Sequence, residues 1–142
     1  MIHNMKAKEY LRKAYNLDKF IDANLVELSK LRAHYNIIRS FDYSKDKIQT
    51  SPGNNIENAI IKIVDMENMI NDKIDQLVDL KNEIRSNIDK LPDEIDRLVL
   101  TYRYICFLSW EEIAVKMGYS YRNIHRVHAR ALSDFESWHT MS

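Results

Sequence analysis

Residues 109–132 read SWEEIAVKMGYSYRNIHRVHARAL, and this stretch decides the fold of the C-terminal third of the chain. Ser109 followed by Glu112 forms a capping box, which predicts a helix that starts at Trp110. Gly118 is one of only two glycines among the 142 residues. A glycine adopts a positive φ at low steric cost, so Gly118 is expected to end this helix after Met117.

The residues around Gly118 predict a helix-turn-helix. Ser120 is placed to cap a second helix that starts at Tyr121, and two helices joined by a short turn form this motif. Ala114 is small at the point where the two helix axes should come closest. Larger apolar side chains fall on the faces that should pack together: Ile113, Met117, Ile124 and Val127. A plain packing corner between two helices is the structural alternative.

The second helix, predicted over residues 121–132, has a basic face. Arg122, Arg126 and Arg130 recur every four residues, and no acidic residue occurs between Ser120 and Ser133. We interpret it as a recognition helix that enters the major groove of DNA, where arginine pairs with guanine and asparagine with adenine. A solvated charged face is the alternative. The candidate DNA-binding residues are Ser120, Tyr121, Arg122, Asn123, His125, Arg126 and Arg130.

A supporting helix is predicted over residues 93–107, directly after Pro92. Leu98, Tyr102 and Ile105 have the spacing of its buried face. Acidic residues at its start suit the helix dipole; they are Asp93, Glu94 and Asp96.

The remaining chain predicts two long amphipathic helices, over residues 4–39 and 55–91, with a break near Asn16. Apolar residues recur every seven positions in both segments. The first row is Ala14, Ile21, Leu28 and Tyr35, and the second is Ile56, Ile63, Ile70, Leu77, Ile84 and Leu91. Asn54 and Glu57 suggest a cap for the second helix. Because no segment alternates like a strand, we predict an all-α fold.

This pattern gives two domains. Residues 1–91 form a coiled-coil or oligomerisation region with a loop at about 40–54, and residues 92–142 form the DNA-binding domain. A stripe of this length needs a partner, because helix propensity alone does not bury it. The two segments can pair within one chain as a hairpin or between two chains. We expect a homodimer formed through the coil.

Composition limits the classes of function. The formal net charge is zero, so contact with nucleic acid has to come from a local patch. A single cysteine forms no internal disulfide, which fits the cytoplasm. There is no signal-peptide core and no window resembling a membrane span. We therefore expect a cytoplasmic protein associated with the nucleoid and not with a membrane.

No catalytic or metal-binding arrangement is evident, and we expect a protein that is not an enzyme and has no cofactor. Cys106 lies in an apolar-aromatic stretch and is expected to be a packing residue. His125 and His128 are three residues apart, but no third ligand accompanies them, and His128 faces the packed side. Glu111 and Glu112 are adjacent on a helix and point apart.

The segments RLVLTYRYI (97–105), WEEIAVKMGYS (110–120) and RNIHRVHARAL (122–132) resemble the region-4 helix-turn-helix of sigma-70 factors. With EYLRKAYNLDKFI, SPGNNIENAI and LVDLKNEI, nearly the whole chain resembles the RinA/ArpU-like family of phage and prophage transcriptional regulators. The resemblance implies a sequence-specific DNA-binding regulator of phage late genes in a bacterial host. A true sigma factor is disfavoured, because no aromatic-rich promoter-melting region is present. We therefore expect the protein to act beside the host RNA polymerase.

Two other functions combine the same parts. A phage DNA-packaging protein of the small-terminase type also joins a helix-turn-helix to a helical oligomerisation region. A protein–protein adaptor would dock its C-terminal module on RNA polymerase without binding DNA. Subunit number separates the first from a dimeric regulator, and duplex binding separates the second.

Overall fold

A computed structural model describes residues 2–44 and 52–141. These residues form helices and connecting turns, with no strand among them, so the prediction of an all-α fold is confirmed. In chain order the helices are α1 (Ile2–Leu11), α2 (Lys13–Ser44), α3 (Pro52–Asp89), α4 (Glu94–Tyr104), α5 (Trp110–Met117) and α6 (Tyr121–Met141).

The break predicted near Asn16 lies four residues earlier, at Arg12, between α1 and α2. It interrupts the helix only slightly. The Arg12 amide still donates to the Lys8 carbonyl at 2.9 Å, and the Asn16 amide donates to the Arg12 carbonyl at 2.9 Å. Because this i to i−4 pattern continues through Arg12, α1 and α2 follow one another with nearly uninterrupted helical hydrogen bonding.

The helices on both sides of the loop predicted at about 40–54 extend into that range. Helix α2 continues to Ser44, and α3 already begins at Pro52, while residues 45–51 lie outside the described part. Asn54 is therefore inside α3 and does not cap it. Proline suits the first position of a helix, since its φ is already helical and an amide hydrogen there would have no partner in the helix.

Two compact units make up the structure. One combines the chain up to Leu17 with the chain from Leu77 onward, and the other is Asp18–Gln76. The sequence placed the domain boundary at 91/92, whereas the units divide within α2 and within α3. The reason is that buried apolar residues of α1, the start of α2 and the end of α3 belong to the same core cluster as the helix-turn-helix. They are Ala7, Leu11, Ala14, Ile84 and Ile88.

The Asp18–Gln76 unit pairs parts of α2 and α3 within one chain. Ile21, Leu28 and Ile70 are buried in it, as the heptad spacing predicts. Arg32 and Glu67 form an ion pair between the two helices, and Lys73 Nζ donates to Asn24 Oδ1 at 2.7 Å. Polar side chains within these amphipathic helices therefore also take part in cross-helix contacts.

The other unit surrounds α5 and α6 with α1, the end of α3, and α4. Tyr10 on α1 stacks on Phe135 on α6, with ring centroids 6.1 Å apart. Its hydroxyl also donates to Glu83 Oε2 at 2.7 Å and accepts from Asn87 Nδ2 at 2.7 Å. Burial beside Glu83 raises the pKa of Tyr10 to about 12, so this phenol stays neutral at physiological pH. Helix α1 therefore packs against the helix-turn-helix and stabilises it.

Helix α4 differs from its prediction in face and length. Leu98 was expected inside but is 38% exposed, whereas Val99, Leu100 and Tyr104 are buried. The helix is turned so that Asp96 faces inward as well. It ends at Tyr104, and Cys106, expected to be a packing residue, is exposed, while Ile105 before it is buried.

Candidate nucleic-acid interface

The turn between α5 and α6 has the geometry that the sequence predicts. Ser109 Oγ accepts a hydrogen bond from the Glu112 amide at 3.2 Å, and Glu112 Oε1 accepts one from the Ser109 amide at 2.9 Å. The hydrogen bond from the Ser109 amide lowers the pKa of the Glu112 carboxyl. Helix α5 therefore starts at Trp110 with both capping-box bonds in place.

Gly118 ends α5 with φ of 71° and ψ of 30°, the left-handed conformation expected of it. The Tyr119 amide donates to the Ala114 carbonyl at 2.9 Å and closes the turn. Ser120 Oγ then accepts from the Asn123 amide at 3.0 Å, so α6 begins at Tyr121 as predicted. Helix α6 is longer than the predicted 121–132 and continues to Met141.

The predicted packing between α5 and α6 is present. Ile113, Ala114 and Ile124 are buried, and Val127 is only 9% exposed. Met117 is partly buried against the same core cluster. The apolar inner face fixes which side of α6 remains outward, because side chains three and four positions apart share one face of a helix.

That outward side contains the predicted contact residues at the N-terminal end of α6. Ser120, Arg122, Asn123 and Arg126 line one shallow, open groove. Arg122 and Arg126 are exposed, and Arg126 Nη2 donates to Asn123 Oδ1 at 2.7 Å. This hydrogen bond orients the amide and the guanidinium beside each other. The structure thus brings four of the seven candidate residues together.

Tyr121 and His125 belong to an aromatic group that joins the two helices. The Tyr121 and His125 ring centroids are 4.6 Å apart, and His125 lies 4.9 Å from the Trp110 ring. Tyr121 is nevertheless 51% exposed. These edge-on and tilted ring contacts hold His125 in place on the first turns of α6, next to the residues that line the groove.

Arg130 differs from the prediction of an arginine face without acidic partners. Its Nη2 lies 3.3 Å from Asp96 Oδ1 and 3.9 Å from Asp93 Oδ2, both at the start of α4. The prediction is wrong for Arg130 because the acids that pair with it are distant in sequence and close only in the fold. Arg130 therefore links α6 to α4.

Asp96 is buried, which the sequence did not predict. It is 1% exposed, and its Oδ2 has no hydrogen-bond partner in the described structure. Burial is the main cause that raises the pKa of Asp96 to about 7; the neighbouring carboxyl groups of Asp134 and Asp93 also raise it, while Arg130 opposes the rise. Its spacing from Val99 and Leu100, three and four positions, is the signal that places it on the inner face.

His128 faces inward, as expected. It is 6% exposed, and its Nε2 lies 2.7 Å from the Tyr104 hydroxyl. Burial, with the positive charges of Lys8 and Arg103, lowers the pKa of His128 to about 3, so the imidazole is neutral at physiological pH. Within residues 2–44 and 52–141, no three His, Cys, Asp or Glu side chains are grouped to hold a metal ion.

A family model described as a protein of unknown function, DUF1492, matches residues 37–136, which is more than half of the chain. The chain belongs to this family. The match to the DUF1492 family includes all of α3, α4 and α5 and most of α6. Comparisons with curated proteins and with solved structures gave no match. No described helix is long and apolar enough to cross a bilayer.

Proposed function

We propose that this protein binds double-stranded DNA through α6 and regulates transcription. The observation that carries the proposal is the groove at the start of α6, which exposes Arg122 and Arg126 beside Asn123 and Ser120. These residues lie at the start of the second helix of a helix-turn-helix, with Ser120 as its cap, and N-terminal side chains of such a helix contact base edges in the major groove.

The chemistry of these side chains fits base reading. Arginine donates two hydrogen bonds to guanine, and asparagine pairs in the same way with adenine. Arg126 and Asn123 are already hydrogen-bonded to each other at 2.7 Å, so their orientation is set before DNA arrives. Arg122 forms no ion pair with a described carboxylate and is free to contact the duplex.

The protein acts as a homodimer through the Asp18–Gln76 unit. Ile60, Val64 and Ile74 on α3 are 42%, 45% and 40% exposed. Their separations of four and ten residues are about one and about three helical turns, so they share one side of α3. A second copy covers this apolar row. Two-fold symmetry suits a helix-turn-helix protein, because each motif then reads one half-site.

The resemblance to RinA/ArpU-like regulators gives the biological setting of the proposal. The protein controls phage or prophage late genes in the bacterial cytoplasm and acts beside the host RNA polymerase. It has no catalytic role, and the DNA-contacting residues are those of the groove with Tyr121 and His125.

Selection from random duplexes tests the proposal, followed by titration of the selected and a random duplex. Arg122→Ala should cost about 1–3 kcal/mol on the selected duplex and little on the random one. Arg39→Ala is the matched control, because Arg39 is an exposed arginine on α2. If the parent protein selects no sequence and binds no duplex, the DNA-binding function is overturned. Equal losses on both duplexes would instead make Arg122 a phosphate contact.

A further inference from the structure

Three cationic side chains converge on the side of the helix-turn-helix that lies next to α1. Lys8 comes from α1, Arg12 from the join of α1 and α2, and Arg103 from α4. They line one small cavity together with three aromatic residues, Tyr15, Tyr104 and Trp110. We call Lys8, Arg12 and Arg103 the cation cluster. Its members are distant in sequence, so the fold alone brings them together.

Among the described residues, no acid neutralises the cation cluster. None of its three side chains forms an ion pair with a carboxylate in the described ranges, 2–44 and 52–141. Its positive field acts on the buried neighbours: Lys8 and Arg103 contribute to the lowered pKa of His128. Arg103 and Arg12 likewise oppose the rise in the pKa of Tyr104 that burial causes. An unpaired group of cations is a ready site for an anion.

Aromatic contacts hold the arginines of the cluster in place. The Arg103 guanidinium lies over the Trp110 ring at 4.3 Å, and its Nη1 donates to the Leu108 carbonyl at 2.9 Å. The Arg12 guanidinium lies 5.5 Å from the Tyr15 ring centroid. Stacking on a ring leaves the edge of a guanidinium available for hydrogen bonds, so these positions are prepared for an anionic partner.

The cluster is next to the candidate DNA-reading face. Trp110, the first residue of α5, contacts both Arg103 and the His125 ring of α6, the latter at 4.9 Å between ring centroids. In a helix-turn-helix complex the first helix of the motif crosses the phosphate backbone while the second enters the groove. The cation cluster adjoins the start of α5, the first helix of the motif, through Trp110.

We propose that Lys8, Arg12 and Arg103 bind phosphate groups of the duplex backbone beside the major groove that α6 enters. This inference rests on the proposed function and adds a contact made by the N-terminal helix. Phosphate contacts carry no sequence information, but they fix the orientation of the protein on DNA. Lys8 and Arg12 lie outside residues 37–136, the part matched by the DUF1492 family, whereas Arg103 lies within it.

The salt dependence of binding tests the proposal on the full chain. Each phosphate contact adds about −0.9 to the slope of log K against log salt concentration. Lys8→Ala and Arg12→Ala should therefore each flatten the slope by about one unit, on selected and random duplexes alike. Lys6→Ala is the matched control, since Lys6 is an exposed lysine on the same helix but lines a different pocket, beside Tyr10 and Phe135. Circular dichroism and melting temperature verify that each variant is folded.

The outcomes separate this inference from the proposed function. If the parent binds duplexes and Arg122→Ala weakens the selected one, but Lys8→Ala and Arg12→Ala keep the parental slope, the cation cluster is not a backbone contact. If the parent binds no duplex at all, the proposed function fails first. Calorimetric titration with inorganic phosphate gives a further arm. Saturable phosphate binding that Lys8→Ala abolishes, with an unchanged salt slope, would assign the cluster to a free anion and overturn the proposal.

Discussion

Asp96 is a carboxyl group at a position where α4 otherwise buries apolar side chains. Arg130 donates to it, while Asp93 and Asp134 place further negative charge beside it. The pKa of Asp96 is raised from 3.8 to about 7 in the folded protein, so the folded state binds this proton more tightly than the unfolded chain does. The contribution of this proton to the free energy of unfolding is fully present below about pH 4 and is lost as pH rises through about 7.

Asp96→Asn should remove that pH dependence. The amide imitates the protonated carboxyl, so the variant should gain stability relative to the parent between about pH 5 and about pH 8, by at least about 1 kcal/mol. Urea unfolding of both proteins at the two pH values measures the difference. Asp89→Asn, at an exposed position, should leave the parental pH dependence intact. A parallel pH profile for Asp96→Asn and the parent would contradict the assignment.

Gly118 is constrained by its backbone and not by its surroundings. Its φ is 71°, yet a Cβ added there meets no atom within 4 Å. Gly118→Ala should therefore cost only the left-handed backbone penalty, about 1–2 kcal/mol. Thermal or urea unfolding measures it, and Gly118→Asn should cost less, because asparagine tolerates this conformation better. A cost well above 3 kcal/mol for alanine would mean that packing also matters.

At the scale of elements, α5 and α6 are held by caps at their ends and by close packing between them. Ala114 is 6% exposed and its carbonyl accepts the amide that closes the turn. Ala114→Leu should overpack this corner and destabilise the protein by about 1–3 kcal/mol. Val115→Leu is the matched control, because Val115 is 81% exposed on the same helix. Denaturant unfolding compares the two, and equal stabilities would mean that Ala114 has free space beside it.

Helix α6 contributes both to the groove and to the packing between helices. Its first turns expose the groove residues, while Arg130 and Phe135 further along attach it to α4 and α1. The N-terminal helix therefore packs on the proposed recognition helix although the two are at opposite ends of the sequence. This packing explains why the cation cluster includes residues from α1.

At the scale of the whole molecule, the apolar row Ile60, Val64 and Ile74 predicts a dimer. Val64→Glu places a charge on that row without disturbing the buried side, so it should yield folded monomers and weaken binding to a duplex with two half-sites. Lys62→Glu, at an exposed position of the same helix, should stay dimeric. Sedimentation velocity gives the subunit number. A parent that is monomeric at all concentrations would refute the dimer.

Leu77 is less suitable for this test, although it belongs to the heptad row. It is partly buried against the core of the unit that contains the helix-turn-helix. A charge there would therefore unfold the chain, and loss of dimers could not be separated from loss of structure. Only the fold distinguishes the row that pairs within the chain from the row that remains exposed.

The sequence by itself determined the local features of this protein. Three local features follow from the sequence: the capping box at Ser109, the positive φ of Gly118 and the start of α6 at Tyr121. Each depends on residues no more than four positions apart. The all-α class and the buried Ile21, Leu28 and Ile70 follow from periodicity, which is also a local property. The exposed position of Arg122 follows from the apolar residues on the opposite side of its helix.

The tertiary structure alone decided the contacts between distant segments. The pairing of Arg130 with Asp96, the packing of α1 against α6, and the gathering of Lys8, Arg12 and Arg103 join residues far apart in the chain. The division into units within α2 and α3 is of the same kind. Helical periodicity specifies which residues share a face, but several faces of similar character compete as partners. Burial of the whole core selects among them, and that selection depends on every helix together.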